Sequence, residues 1–185
     1  MRQTSPRPKP TRAVRASFLL SGVGLAALSV VANGQRPAAW HDDFVEHIVG
    51  TWKLEGTVMG KPAHHIVKAE WMMNHQFVQI RQQTAPDAPD NESRYDSLWY
   101  LGYDDVSDRY VLHLIDVFGG RFSETLGFGT RNGNDLLFIF EYPDGPFHNR
   151  WRWLPASQSW EWHLEQKDKG QWKPFADFKL TRKDG

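Results

Sequence analysis

The sequence predicts an all-β protein: a single antiparallel up-and-down barrel of about ten strands, preceded by a short helix and an export segment. Three observations carry this expectation. The first is the stretch 147–167, F-H-N-R-W-R-W-L-P-A-S-Q-S-W-E-W-H-L-E-Q-K, in which two strictly alternating segments flank a Pro/Ser/Gln turn. Period-two alternation marks a half-buried strand, so the stretch reads as a β-hairpin. Setting Trp153 against Trp160 places Trp151 against Trp162 and puts four indoles on one face. The other face then pairs Arg152 with Glu161, Arg150 with His163 and His148 with Glu165, the cross-strand contacts that stabilise antiparallel sheets. The second observation is that the chain from Gly50 onward is a succession of short apolar-alternating runs separated by turn residues. The third is its content of nine Trp, eleven Phe and five Tyr, residues that favour strands and fill or line barrels.

The elements follow in order. Arg2, Arg7, Lys9, Arg12 and Arg15 form a basic region, and Ala16 to Gly34 is uncharged. Val30-Val31-Ala32 or Ala32-Asn33-Gly34 supplies the small-residue exit of a signal peptide, so residues 1–34 are expected to direct export, with cleavage near 32–34. The competing reading is a retained anchor, because the uncharged run approaches the roughly 20 residues that span a bilayer. No adjacent arginine pair points to a twin-arginine route. The expected location is periplasmic or secreted, with no membrane role beyond export. A domain over residues 40–183 remains, of ordinary size and large enough to form a core without staples.

Trp40 to Val49 reads as a short helix, with Asp42 and Asp43 at its start and Phe44, Val45 and Ile48 as its apolar stripe, able to plug one barrel end. Strands follow at 50–58, 64–73 and 77–84, where pairing Met72 with Phe77 sets Val78 against Trp71 and Ile80 against Ala69. A polar loop, 85–94, carries two Pro and the formal sequon Asn91-Glu92-Ser93. The pair 95–103 and 109–117 is apolar on both faces, so its period does not say which is inward. Strands at 123–130 and 135–142 flank Asn132-Gly133, a strong hairpin signal. The last strand, 171–182, is expected to place Trp172, Ala176, Phe178 and Leu180 on one face. A closed barrel uses this many strands without leaving open edges.

The short helix followed by Gly50-Thr51-Trp52 and Gly56 resembles the opening of the calycin-type barrels, the lipocalin and fatty-acid-binding-like group. Leu101-Gly102-Tyr103-Asp104 before Arg109-Tyr110, then Asp116, Gly127–Gly129 and an ending at Leu180–Lys183, resembles an uncharacterised bacterial family within that group. The likeness runs from about Val45 to Lys183. It implies a barrel with an interior cavity and carries no reaction with it.

Composition excludes several functions. The chain has 22 basic and 22 acidic residues, so no bulk charge attracts nucleic acid. The absence of Cys removes disulfides, Cys-ligated zinc and thiol nucleophiles. Neither a nucleophile elbow nor a phosphate loop occurs, and Gly127-Phe128-Gly129 lacks the third Gly of a dinucleotide fingerprint. Pairing around Asn132-Gly133 sets Glu124 against Glu141, a carboxylate pair that in an apolar cavity would suit general acid/base chemistry; the alternative is a solvated rim. Eight histidines raise the question of metal or haem, since haem barrels of the nitrobindin type use one axial His. His163 falls outward, His64 and His65 point to opposite sides, and His113 is the better interior candidate. No His pair has metal-ligand spacing, so no metal is assigned. Asp104, Asp105 and Asp108 read as a solvated turn without EF-hand spacing.

The expected function is therefore non-catalytic binding of a small apolar or amphipathic molecule. Trp52, Trp71, Trp99, Tyr103, His113, Trp151 and Trp162 are the candidate lining residues. Two alternatives stand beside it. In one the indoles pack on each other and fill the barrel. In the other the loops at 85–94 and 143–146 hold a protein partner.

Overall fold

The computed structural model describes residues 38–183. The export segment read at 1–34 lies outside the described residues. The strands are β1 (Gly50–Val58), β2 (Lys61–Met72), β3 (Phe77–Thr84), β4 (Asp96–Asp104), β5 (Arg109–Asp116), β6 (Leu126–Asn132), β7 (Asp135–Tyr142), β8 (Gly145–Leu154), β9 (Ser159–Asp168) and β10 (Gln171–Arg182). Each pairs antiparallel with its neighbour in sequence, and β10 pairs with β1, so the sheet is a closed barrel. This is the predicted all-β, ten-stranded architecture, and it is consistent with a calycin-like fold. Two single-turn helices accompany it: α1 (Asp43–Glu46) before β1 and α2 (Gly120–Ser123) between β5 and β6.

The Trp hairpin has the register read from its alternation, with Trp151 opposite Trp162, Trp153 opposite Trp160 and His148 opposite Glu165. All four indoles are buried. The β2–β3 register is likewise as expected, with Met72 opposite Phe77 and Ala69 opposite Ile80. In the strand pair whose period was ambiguous, Ser97, Trp99 and Leu101 face inward from β4, and Tyr110 and Leu112 from β5.

The strand ends define two rims. At one, α1 plugs the barrel. Asp42 caps it by accepting from the Phe44 and Val45 amides at 2.9 and 3.1 Å, which orders a helix too short to persist alone. Phe44, Val45 and Ile48 are buried, with the Phe44 ring edge-on to Trp160 of β9 at 5.1 Å. The Trp52 indole donates to the Ile48 carbonyl at 2.7 Å and the Trp160 indole to that of His47 at 3.4 Å, which satisfies two helix-end carbonyls. The helix is one turn, shorter than the 40–49 expected, because the chain must turn into β1 at Gly50 with φ of 130°.

One expected facing is corrected. Trp172 lies outside, 37% exposed and stacked on His148 at 3.6 Å between ring centroids. A β-bulge between Pro174 and Ala176 inserts a residue, which reverses the face of everything before it. Ala176, Phe178 and Leu180 keep the inward face.

Candidate functional site

The lumen is filled at mid-height by indoles. Trp151 stacks on Trp162 at 4.8 Å, and Trp99 meets both at about 6.5 Å. Phe138 contacts Trp151 edge-on at 5.1 Å. Of the residues expected to line a cavity, Trp52, Trp99, Trp151 and Trp162 are thus buried in the core. Trp71 and Tyr103 stand instead at the plugged rim, around Trp40: Trp71 meets it edge-on at 5.4 Å and Tyr103 stacks on it at 5.8 Å. An open cleft of about 480 Å³ there is lined by Trp40, Asp42, Tyr103, Tyr110 and Arg131, with the Tyr110 hydroxyl donating to Asp42 at 2.6 Å.

The opposite rim is the mouth, and it has a different chemistry. Six aromatic rings follow one another around it: Tyr95, Phe118, Phe122, Tyr142, Phe147 and Phe175, with successive centroids 5.3–6.4 Å apart. They come from the residue just before β4, the β5–β6 connection with α2, the end of β7, the start of β8 and the bulge of β10. Phe118 is 68% exposed. Burial pushes the Tyr142 phenol up to about 12, so it stays protonated and donates to the Phe122 carbonyl at 3.2 Å.

Between collar and indoles sit the buried polar side chains His65, Gln82, Ser97 and Asn149. Ser97 accepts from the Trp99 indole and Asn149 Oδ1 from that of Trp151, each at 2.9 Å. Among the described residues, Asn149 Nδ2 and Trp162 Nε1 have no hydrogen-bond partner, and both residues are nearly inaccessible. An unpaired buried donor costs about 1–3 kcal/mol. Gln82 bonds His65 Nδ1 at 2.7 Å, and burial holds the His65 pKa below its ordinary value.

The 85–95 loop folds over the β2–β3 corner of this mouth, burying Ala85 and Ala88. Its latch is Glu92. One carboxylate oxygen accepts from the His64 amide at 2.8 Å and lies 3.7 Å from His65 Nε2, while the other meets His64 Nδ1 at 2.8 Å. The hydrogen bond to Glu92 raises the His64 pKa. Burial opposes the Glu92 charge, but the His64 amide and ring outweigh it and hold that carboxyl below its usual range.

The carboxylate pair does not form. Asn132 pairs with Asp135, so Gly133-Asn134 is the two-residue loop and the register differs by one residue on each side from the pairing expected around Asn132-Gly133. Glycine at the first central position, φ 59°, is the signature of a type II′ turn, which leaves Asn132 in the strand. β6 starts only at Leu126, so Glu124 is exposed after α2, and Glu141 faces outward opposite Pro146. Leu126, Phe128 and Ile139, which strand alternation around Asn132-Gly133 sets on the same face as Glu124 and Glu141 and so inside with them, are 37–40% exposed. Gly127 and Gly129 take the inward face, because the Phe140 and Phe138 rings stand 2.4 and 2.7 Å from where their β-carbons would be.

His113 is also on the outer face, with Nε2 2.8 Å from the Ser123 carbonyl. The inward histidine is His65. Asp104 accepts from the Val106 and Ser107 amides at 3.2 Å, the Asx geometry of a solvated turn. Sequence reading did not place His65, Gln82 or Asn149 inside, since polar residues within a strand carry no period signal, and it met Glu92 only as part of a sequon in a polar loop. It also did not signal the grouping of His41, Glu46 and His75 at the plugged rim, which share one neighbourhood only through the fold. No protein-family model matches this chain, and no curated protein matches its sequence.

Proposed function

We propose that the protein is an exported, calycin-type barrel of the bacterial group it resembles, and that it binds a small amphipathic molecule at the collared mouth. The observation that carries this reading is the aromatic collar standing above two unpartnered buried donors. The collar offers apolar surface to a ring or alkyl body, at roughly 25 cal/mol for each Å² removed from water. Asn149 Nδ2 and Trp162 Nε1 suit an acceptor group carried by the guest, such as a carbonyl, carboxylate or ether oxygen. The packed indoles below limit how deep that guest reaches, so its body lies in the collar and only its acceptor end enters the lumen. Pocket recognition of this kind needs no catalytic group, and binding without turnover is the activity proposed.

The test is native mass spectrometry of the purified protein, followed by titration with anilinonaphthalene sulfonate as an amphipathic probe. A saturable one-to-one fluorescence rise that Phe118→Ala weakens about tenfold supports the site. Absence of both a copurified guest and a saturable probe response, in protein with an intact far-UV spectrum, rejects it.

A further inference from the structure

At the rim opposite the mouth, three metal-ligating side chains converge. His41 precedes the N-cap of α1, Glu46 is its last residue, and His75 comes from the β2–β3 turn. One nitrogen of each imidazole and one oxygen of Glu46 lie within 4.8 Å of one another. Tetrahedral zinc with bonds of about 2.0–2.2 Å holds its ligands about 3.3–3.6 Å apart. The remaining gap is within side-chain rotation for His41 and Glu46, which are both exposed.

Four further features distinguish this group from a chance surface cluster. His75 Nδ1 is a buried atom without a hydrogen-bond partner among the described residues. His75 itself is held in a turn where Met73, Asn74 and His75 all take left-handed backbone angles, φ 50–57°. Such a conformation costs non-glycine residues about 1 kcal/mol or more each, and strain of this kind concentrates at ligand sites. The His75 carbonyl accepts from the Trp40 amide at 3.1 Å, which fixes the turn beside His41. The Trp71 indole stacks on the His75 ring at 4.8 Å and donates to Glu46 Oε1 at 3.0 Å. One side chain thereby orients two ligands, the outer-shell arrangement common around protein metals, and leaves Glu46 Oε2 available.

We infer that His41, Glu46 and His75 form a binding site for a divalent transition metal of the zinc class, with a fourth position open to solvent. Two imidazoles and one carboxylate select borderline ions; calcium and magnesium prefer all-oxygen sets. The metal would join the plugging segment to the β2–β3 turn, and so fasten the closed end of the barrel. The site is remote from the mouth and does not depend on what binds there.

The experiment is calorimetric titration of the EDTA-treated full-length protein with zinc chloride, repeated with cobalt(II) for its visible absorption. One equivalent is expected to bind, raising the melting temperature in proportion to the logarithm of free zinc. His41→Ala with Glu46→Gln, both at exposed positions, should abolish stoichiometric binding and the tetrahedral cobalt bands while leaving the metal-free melting temperature nearly unchanged. Trp71→Phe should weaken affinity about 10–100-fold. His163→Ala, which alters the outer-face cluster of His163, Glu165 and Asp177, should leave the titration as it was. No stoichiometric uptake by the parent protein, or equal uptake by the double variant, overturns the assignment.

Discussion

Closure of the barrel rests on β1 against β10, and Gly56→Ala tests it directly. Gly56 lies opposite Phe178 of β10, and an added β-carbon would stand 1.9 Å from the Asp177 carbonyl oxygen and 2.9 Å from the Phe178 α-carbon. Real β-carbons keep at least 3.0 Å, so the strands must separate by about 1.1 Å. The obstacle is backbone, and no rotamer change relieves it. A hydrogen bond stretched by that amount is lost. Two flanking ladder bonds at about 0.5–1.5 kcal/mol each, with part of the cost of leaving their groups unpaired, come to about 3–5 kcal/mol. In urea, with a slope near 2 kcal/mol/M for a domain of this size, the midpoint should fall by about 1.5–2.5 M. Gly60→Ala is the control: φ is 75° and nothing lies within 4 Å of its added carbon, so only the left-handed backbone cost of about 1–2 kcal/mol applies. Equal losses for the two variants would refute the β1–β10 closure, because an open sheet has no strand at that position.

Two other outcomes can be checked in the same apparatus. Trp151→Ala should lose about 3–5 kcal/mol, and Trp172→Ala less than about 1 kcal/mol; equal losses would contradict the facing set by the β10 bulge. The latch gives a pH dependence. Below its ordinary pKa of 6.5 His64 supplies its full contribution, which is lost as pH rises through the raised folded value. Glu92 contributes above its ordinary 4.5, lost as pH falls through the lowered folded value. Proteolytic cleavage within 85–95 should therefore be slowest between these limits and faster at pH 8.5. Glu92→Gln should flatten the rise, whereas an unchanged profile in that variant would remove the latch from the account.

The Trp hairpin was legible because both its strands alternate strictly and opposite charges mark the outer face, so only one register satisfies both sides. The β2–β3 pair was legible from apolar alternation alone, since its outer face sets Lys68 against Arg81 and Glu70 against Gln79 and offers no opposite charges across the strands. β6 misled because its apolar side chains, Leu126 and Phe128, are the outer ones, while its inward residues are glycines that carry no hydrophobic signal. Trp172 misled because a bulge is invisible to a period count. The collar was beyond reach for another reason: its six rings lie on separate elements, and only the pairing and curvature of β4 to β10 bring them to one rim as neighbours.

Those glycines also bear on where a guest can go. Phe138 and Phe140 fill the space opposite Gly129 and Gly127, and Trp151 packs on Phe138 in turn. The wall formed by β6 to β8 is therefore a close-packed unit, in which admitting even a methylene demands backbone movement costing about 1–3 kcal/mol. The mouth is under no such constraint. Phe118 and Phe122 ride on a connection held by side-chain hydrogen bonds and a one-turn helix, and the 85–95 loop is held at its tip by one carboxylate. Elements secured by few buried contacts open at low free energy, and these are the elements that carry Phe118 and Phe122 of the collar and cover His65. For the guest proposed above, selectivity would accordingly be set at the rim, by which rings it can stack on and whether its acceptor reaches Asn149, with the packed indoles below as a fixed floor.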